Sequence, residues 1–399
     1  MFNPEDHYLS RGPVHQFGDA SECDYKIKNV GWTLGNFCPY HCRHCYSLSA
    51  RRAGANMTKE IVDRIINQLY KNGIETINVG GNEPIFTNGS KLEDTLLPYI
   101  INKVTDLGME IGVTTSGITL LQLYKNFPEE FKKVNDFDIS LDSPFEEEHN
   151  ENRGAKLYNS AMECLKICQD TGKPHGIIMT GMKWNFTKLH INAMLELCKR
   201  TNSNIRINIF KPMSKIHYKN IILPDQLFEG FDYLIKNCET LDMSESILKA
   251  ASQTPNKSRC PCGRTSFRIH SITPDGKVYV SPCVYMHDYK SSLDLLTNEL
   301  SDILASDVFK VFRQRNAHPE KIKGCSDCEL LDICGGGCAA RSYLHHAIQT
   351  GEKSFIEKDF YCPKEHKSSQ HFSKNYNIAK EEKLVHIDYL CTWIGKPKV

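Results

Sequence analysis

The chain has 399 residues, 40% of them hydrophobic, which is enough to build a sizeable core in more than one domain. Its 49 basic and 48 acidic residues leave a formal charge of +1, which excludes a global electrostatic pull toward nucleic acid or an anionic membrane. No apolar run approaches the roughly 20 residues that cross a bilayer, and Met1-Phe2-Asn3-Pro4-Glu5-Asp6 has no signal character, so the expectation is a cytoplasmic protein with neither membrane nor nucleic acid as partner.

Residues 1–29 form an N-terminal segment too short for a separate recognition domain. After a short apolar run, Cys38-Pro39-Tyr40-His41-Cys42-Arg43-His44-Cys45 sets three cysteines at C-x3-C-x2-C spacing. One loop can then grip one metal centre. A 4Fe-4S cubane ordinarily takes four thiolates, so three leave one iron with an open position where a substrate or cofactor binds. The competing reading is a Cys3His zinc site completed by His41 or His44.

Thr58 to Asn72 reads as a helix: Ile61, Ile65 and Leu69, with Val62, Ile66 and Tyr70, recur at i, i+4, Thr58 can cap it and Gly73 can end it. Glu75 to Val79 reads as a strand that runs into Gly80-Gly81-Asn82-Glu83-Pro84, where paired glycines let backbone approach a ligand closely. Further strands are predicted over Glu110–Thr115, Phe137–Leu141, Gly176–Thr180 and Ile205–Phe210, with a helix over Leu189–Cys198 among the intervening patterns. Six strand-helix units predict a parallel sheet curled as a partial (β/α)6 barrel over residues 30–250. The chemistry of such barrels sits at the C-terminal strand edges. Those edges are polar here: Thr114-Thr115-Ser116-Gly117, Ser140-Leu141-Asp142-Ser143, and Arg206, Asn208 and Phe210 alternating with three isoleucines.

A turn-rich stretch, Gln253 to Ser258, marks a boundary, and a small cysteine-rich domain is expected over residues 251–370. It contains Cys260, Cys262, Cys283, then Cys325-x2-Cys328-x5-Cys334-x3-Cys338 with Gly335-Gly336-Gly337 inside it, and Cys362. Ordinary packing does not require that density, and 17 cysteines without a secretion signal favour thiolate-metal chemistry over disulfides. Cys23, Cys164, Cys168, Cys198, Cys238 and Cys391 have no array around them and read as packing residues. Residues 371–399 form a polar tail whose apolar group Leu390-Cys391-Thr392-Trp393-Ile394 is expected to pack back on the barrel or to dock a partner.

The three-cysteine loop resembles the defining loop of the radical S-adenosylmethionine superfamily, and the C-x2-C-x5-C-x3-C run resembles the SPASM domain, an extension holding two auxiliary 4Fe-4S clusters. The resemblance covers about residues 30 to 370. It implies S-adenosylmethionine and three 4Fe-4S clusters as cofactors, and a 5'-deoxyadenosyl radical as the reactive species. Cys38, Cys42 and Cys45 would hold the first cluster, and Tyr40, His44, Gly80, Gly81, Asn82, Glu83, Thr115, Ser116, Ser140 and Arg153 would surround the cofactor. Asn82 is an insertion relative to the commonest family form. Cys325, Cys328, Cys334 and Cys362 would hold one auxiliary cluster, and Cys338, Cys283 and the Cys260/Cys262 pair the other. The close spacing of that pair leaves open whether both bind. Asp142 and Tyr285 are the candidate catalytic residues.

Asp142-Ser143-Pro144 followed by His149-Asn150-Glu151-Asn152-Arg153-Gly154 is similar to a stretch of the family's peptide-modifying branch. The implied function is therefore crosslinking of a ribosomally made precursor peptide, through a thioether or carbon-carbon bond, with a flavodoxin- or ferredoxin-like reductant as second partner. Anaerobic sulfatase maturation loses ground because Val284 and Tyr285, not an Asp, follow Cys283. A radical dehydrogenase acting on a small molecule and a nonenzymatic metal-binding scaffold are the remaining alternatives.

Overall fold

The helix after the cysteine loop forms where the apolar period places it, over Lys59–Lys71, with Thr58 Oγ1 accepting from the backbone N–H of Ile61 at 3.3 Å. Its stripe of Val62, Ile65, Ile66 and Leu69 is buried in the hydrophobic core. The structure, a computed structural model, describes residues 16–398 apart from 48–53, 255–256, 258, 287–288, 375, 377, 380–383 and 386. Part of the expected boundary, at Pro255, Asn256 and Ser258, thus lies outside the described residues.

Six strands run parallel in sequence order: β1 (Asn29–Thr33), β2 (Thr76–Gly80), β3 (Glu110–Thr115), β4 (Asp136–Ser140), β5 (His175–Gly181) and β6 (Asn204–Ile209). They are buried on both faces along most of their length, and β4 and β6 alternate apolar residues with buried polar ones such as Asp138, Arg206 and Asn208. The helix over Lys188–Thr201 packs behind β6, somewhat longer than the expected Leu189–Cys198. Together these elements give the open parallel sheet of a partial barrel.

The sheet continues past both ends of this series. β7 (Cys238–Met243), β8 (Ser266–Ile269), β9 (Val280–Ser281) and β10 (Trp393–Pro397) complete ten strands in the order β7-β10-β6-β5-β4-β3-β2-β1-β8-β9. β8 pairs parallel with β1, which brings the start of the cysteine-rich region against the first barrel strand. β10 is antiparallel to both β6 and β7 and lies between them. The tail therefore packs back as a strand. Trp393 drives that placement: it is fully buried, meets the Phe231 ring edge-on at 6.2 Å, and donates from Nε1 to Thr240 Oγ1 at 3.3 Å. Among the described residues no helix is long and apolar enough to cross a membrane.

Candidate active site

One cavity lies at the C-terminal edge of the parallel strands. Cys38, Cys42 and Cys45 line it, together with every residue expected around the cofactor: Tyr40, His44, Gly80, Gly81, Asn82, Glu83, Thr115, Ser116, Ser140 and Arg153. Arg206, Asn208 and Phe210 point into it from β6 while Ile205, Ile207 and Ile209 stay in the core, as the period-2 alternation of a strand requires.

The cysteine loop has little regular structure of its own and is held by the helix over Glu146–Arg153. Arg43 N–H donates to the Asn152 carbonyl at 2.9 Å, the Asn152 amide meets His44 Nδ1 at 2.9 Å, and Arg43 pairs with Glu151 at 2.9 Å. Arg153, the last residue of that helix, pairs through Nε with Asp142 at 2.7 Å and sets Nη1 4.0 Å from Cys42 Sγ. Gly154 ends the helix at φ +65°, a conformation that suits glycine, and a Cβ there would sit 3.2 Å from the His41 carbonyl. Asn150 Oδ1 accepts from the N–H groups of Leu157 and Tyr158 and starts the next helix. The polar stretch from His149 to Gly154 is thus the socket of the cysteine loop.

Asp142 stands behind the cavity wall, fully buried. Its carboxylate takes the Arg153 pair, the Asn152 amide at 2.9 Å and the Thr180 N–H at 3.2 Å, with His44 Nε2 at 3.7 Å. Burial opposes its ionisation, yet Arg153, His44 and His149 outweigh burial and hold the carboxyl well below the usual range. Burial lowers His149 to about 4, and its Nδ1 accepts from the Asp142 N–H at 3.2 Å. Burial pushes the Cys42 thiol up to about 11 against the pull of Arg153.

The glycine turn after β2 is tight for a reason. Gly81 has φ +85°, and a Cβ on it would lie 2.3 Å from Arg268 Nη2 and 2.9 Å from Thr33 Oγ1. Glu83 is buried and accepts from the Thr115 hydroxyl, from the Thr119 hydroxyl at 2.6 Å and N–H at 3.2 Å, and from the Ser116 N–H at 3.0 Å. Burial still raises its pKa despite those donors. Asn82 Nδ2 donates to the Gly35 carbonyl at 2.6 Å, whereas its buried Oδ1 has no partner among the described residues. An unsatisfied acceptor facing this cavity, three thiols on one loop and a glycine cradle fit an iron-sulfur cluster with an amino-acid cofactor beside it.

Opposite the cysteine loop, residues from beyond position 250 close the cavity: Arg268, Val284, Tyr285, Tyr389 and Leu390. Arg268 donates to Thr33 Oγ1 at 2.8 Å, the Tyr389 hydroxyl at 2.9 Å, the Gly80 carbonyl at 3.0 Å and the Tyr46 hydroxyl at 3.3 Å. Tyr285 meets Tyr46 edge-on at 5.4 Å, and the buried Lys211 Nζ lies 4.1 Å from the centre of its ring. Lys211 and Arg268 are absent from the sequence-level expectations. Lys211 stands two residues after β6 and could have been found by its place at a polar strand end. Arg268 needed β8 to be seen against β1.

The other cysteines form two groups. Cys325, Cys328, Cys334 and Cys362 line a cavity of about 200 Å³ with Gly324, Gly336 and Pro363. Gly335, Gly336 and Gly337 have φ +57°, +80° and +76°, and a Cβ on Gly337 would fall 2.4 Å from Asp359 Oδ2. That reversal sends Cys338 away from Cys334 into the second group. There Cys260 contacts Cys262 and Cys338, and Cys262 contacts Cys283. Cys391 contacts Cys260 as well, Sγ to Sγ at 3.9 Å. Its lone position in the sequence concealed it. The four thiols of the first group stand on the walls of that cavity, which suits a polynuclear cluster. Arg341 ties this region to the barrel: it is fully buried, pairs with both Glu245 oxygens at 2.9 Å and with Asp359 at 2.6 and 2.7 Å, while Asp359 Oδ2 accepts from the Cys338 N–H at 2.8 Å.

Comparison with known proteins adds family and fold. The Radical SAM superfamily matches residues 32–191, and the SPASM iron-sulfur cluster-binding domain matches residues 260–329. An uncharacterized protein of Archaeoglobus fulgidus is 27% identical over 343 residues, covering 82% of this chain and 76% of that protein. Mycofactocin maturase MftC of Mycobacterium tuberculosis is 23% identical, covering 78% of each. Among solved structures, Streptococcus suis SuiB bound to precursor peptide SuiA matches with TM-score 0.60 at 17% identity, over 86% of this chain and 76% of that one. The S-adenosylmethionine-bound anSMEcpe matches with TM-score 0.64 at 16% identity, over 87% and 93%. At these identities the two structures speak for the fold.

Proposed function

We propose that this chain, a radical S-adenosylmethionine enzyme with a C-terminal SPASM domain, is a maturase that forms a thioether or carbon-carbon crosslink in a ribosomally made precursor peptide. The observation that carries the reading is the cavity lined both by the three-cysteine loop and by Lys211, Tyr285 and Tyr389, where cofactor and substrate would meet between the barrel and the cysteine-rich region. The relatives named maturase, and the SuiB structure with its precursor peptide, support a peptide as substrate.

When bound, the loop cluster and S-adenosylmethionine supply a 5'-deoxyadenosyl radical that removes one hydrogen atom from the substrate. The chain's own residues do the rest. Arg153, fixed by Asp142, provides a cation beside Cys42 for the cofactor's carboxylate, and Asn82 Oδ1 provides an acceptor for its amino group. Asp142, the candidate catalytic acid, is read as the residue that positions Arg153 and His44. Tyr285 and Lys211 meet the substrate. In balance, the crosslink would remove two hydrogens from the peptide: one as the atom taken by that radical, the other as a proton whose electron would go to the clusters that the auxiliary cysteines would hold. The auxiliary thiol sites are read as two further 4Fe-4S clusters, with residues 30–250 as the radical domain, 251–370 as the auxiliary domain, a cytoplasmic location, and a flavodoxin- or ferredoxin-like donor of the initiating electron.

The test is anaerobic. About twelve irons per reconstituted chain, three cubanes, are expected. Co-expression with a short peptide encoded beside the gene should yield a peptide lighter by two hydrogens, with 5'-deoxyadenosine formed in equal amount. Zinc in place of iron, or 5'-deoxyadenosine formed only with a small-molecule substrate, would overturn the reading.

A further inference from the structure

The second thiol group holds five cysteines, one more than a cubane needs. Cys260, Cys262, Cys283, Cys338 and Cys391 are all buried. Cys391 touches both Cys260 and Cys338, so these three close a triangle, and Cys283 reaches it through Cys262.

Cys391 is brought there by construction. The carbonyl of Tyr389 accepts from Ser266 Oγ at 2.6 Å, which ties the segment to β8. One residue after Cys391, Thr392 Oγ1 donates to the Ile207 carbonyl at 2.8 Å and lies 2.9 Å from Asn208 Oδ1, and its carbonyl accepts from Ser244 and Glu245 at 3.0 and 3.1 Å. β10 then threads between β6 and β7. Backbone held on both sides fixes the thiol without any metal. Cys262 sits two residues from Cys260 across Pro261, whose carbonyl accepts from Arg264 and Thr265 at 3.0 and 2.9 Å in a tight turn.

We propose that Cys391 is an iron ligand of the first auxiliary cluster, in the triangle with Cys260 and Cys338, and that one thiol of the Cys262–Cys283 pair is spare. Every iron of that cluster is then capped by protein, and the substrate does not coordinate it. The cluster acts as electron acceptor. Tyr389 and Leu390, just before Cys391, line the cofactor cavity, so a single covalent segment runs from the cavity wall to the cluster.

The inference rests on the reading of this group as a cluster site, and the experiment separates the two. In full-length protein with Cys38, Cys42 and Cys45 all replaced by Ala, about eight irons per chain, two cubanes, should remain after reconstitution. Isotopically labelled cyanide should show no hyperfine coupling to the reduced clusters. Adding Cys391→Ala should open one iron: cyanide coupling appears, or iron falls by about four per chain. Cys391→Ser, nearly isosteric, keeps the fold and should keep the iron while shifting the auxiliary electron paramagnetic resonance signal. Either Cys262→Ala or Cys283→Ala, whichever removes the spare thiol, should leave iron, signal and cyanide response unchanged. Unchanged signal, iron content and cyanide response in both Cys391 variants overturn the assignment. Absence of auxiliary iron from the parent variant overturns the cluster reading beneath it.

Discussion

Arg341→Met tests the joint between barrel and auxiliary domain. Arg341, Glu245 and Asp359 are at most 3% exposed, and the guanidinium makes four hydrogen bonds to the two carboxylates. Removing the cation leaves two buried anions without it, and breaking a buried pair in this way costs about 3–5 kcal/mol. An unfolding entropy of about 2.1 cal/mol/K per residue over 399 residues is about 0.8 kcal/mol/K, so the melting temperature should fall by about 4–6 °C. Because Asp359 also holds the Cys338 N–H, auxiliary iron should be lost first on heating. The assay is a thermal scan of anaerobic holoprotein at fixed scan rate, with wild type alongside. The neutralised variant Glu245→Gln/Asp359→Asn/Arg341→Met should recover most of the loss, since no uncompensated charge remains buried. Melting of Arg341→Met within about 1 °C of wild type would refute the argument that this triad is the joint.

Asp142→Asn removes the charge that fixes Arg153, so equilibrium dialysis should show S-adenosylmethionine bound roughly tenfold more weakly while loop iron stays; full binding with turnover alone lost would return Asp142 to a direct catalytic role. Gly81→Ala sets a Cβ 2.3 Å from Arg268 Nη2 at positive φ, so cofactor binding should drop by at least about tenfold; wild-type affinity would show that the turn does not approach the ligand. Burial raises Asp242 to about 6 against a hydrogen bond from Ser244. As pH rises from about 4 to 6 the unfolded chain loses a proton that the native state keeps, so this contribution to stability falls with rising pH. Asp242→Asn should therefore melt higher than wild type at pH 7 and approach it toward pH 5; a gap that does not narrow on acidification contradicts the assignment.

Local sequence determined the parts whose causes are local. The period of Ile61, Ile65 and Leu69 with a Thr58 cap made one helix, and the apolar runs with polar C-terminal ends made the parallel strands and put Thr115, Ser140 and Asn208 at one edge. Cysteine spacing alone grouped Cys38, Cys42 and Cys45, because three or four residues of chain reach no further than one metal centre. Tertiary structure decided whatever depends on pairs distant in sequence. β10 reaches β6 across about 180 residues, and nothing in Trp393-Ile394-Gly395 names that partner; burial of Trp393 against Phe231 and Thr240 does. The same insertion carries Cys391 to Cys260, 131 residues away, and turns a cysteine that reads as packing into a member of a thiol cluster. The contacts of Asp142 with Arg153, Asn152 and Thr180 were likewise beyond the sequence, because a carboxylate's role depends on what surrounds it, and only folding supplies the surroundings.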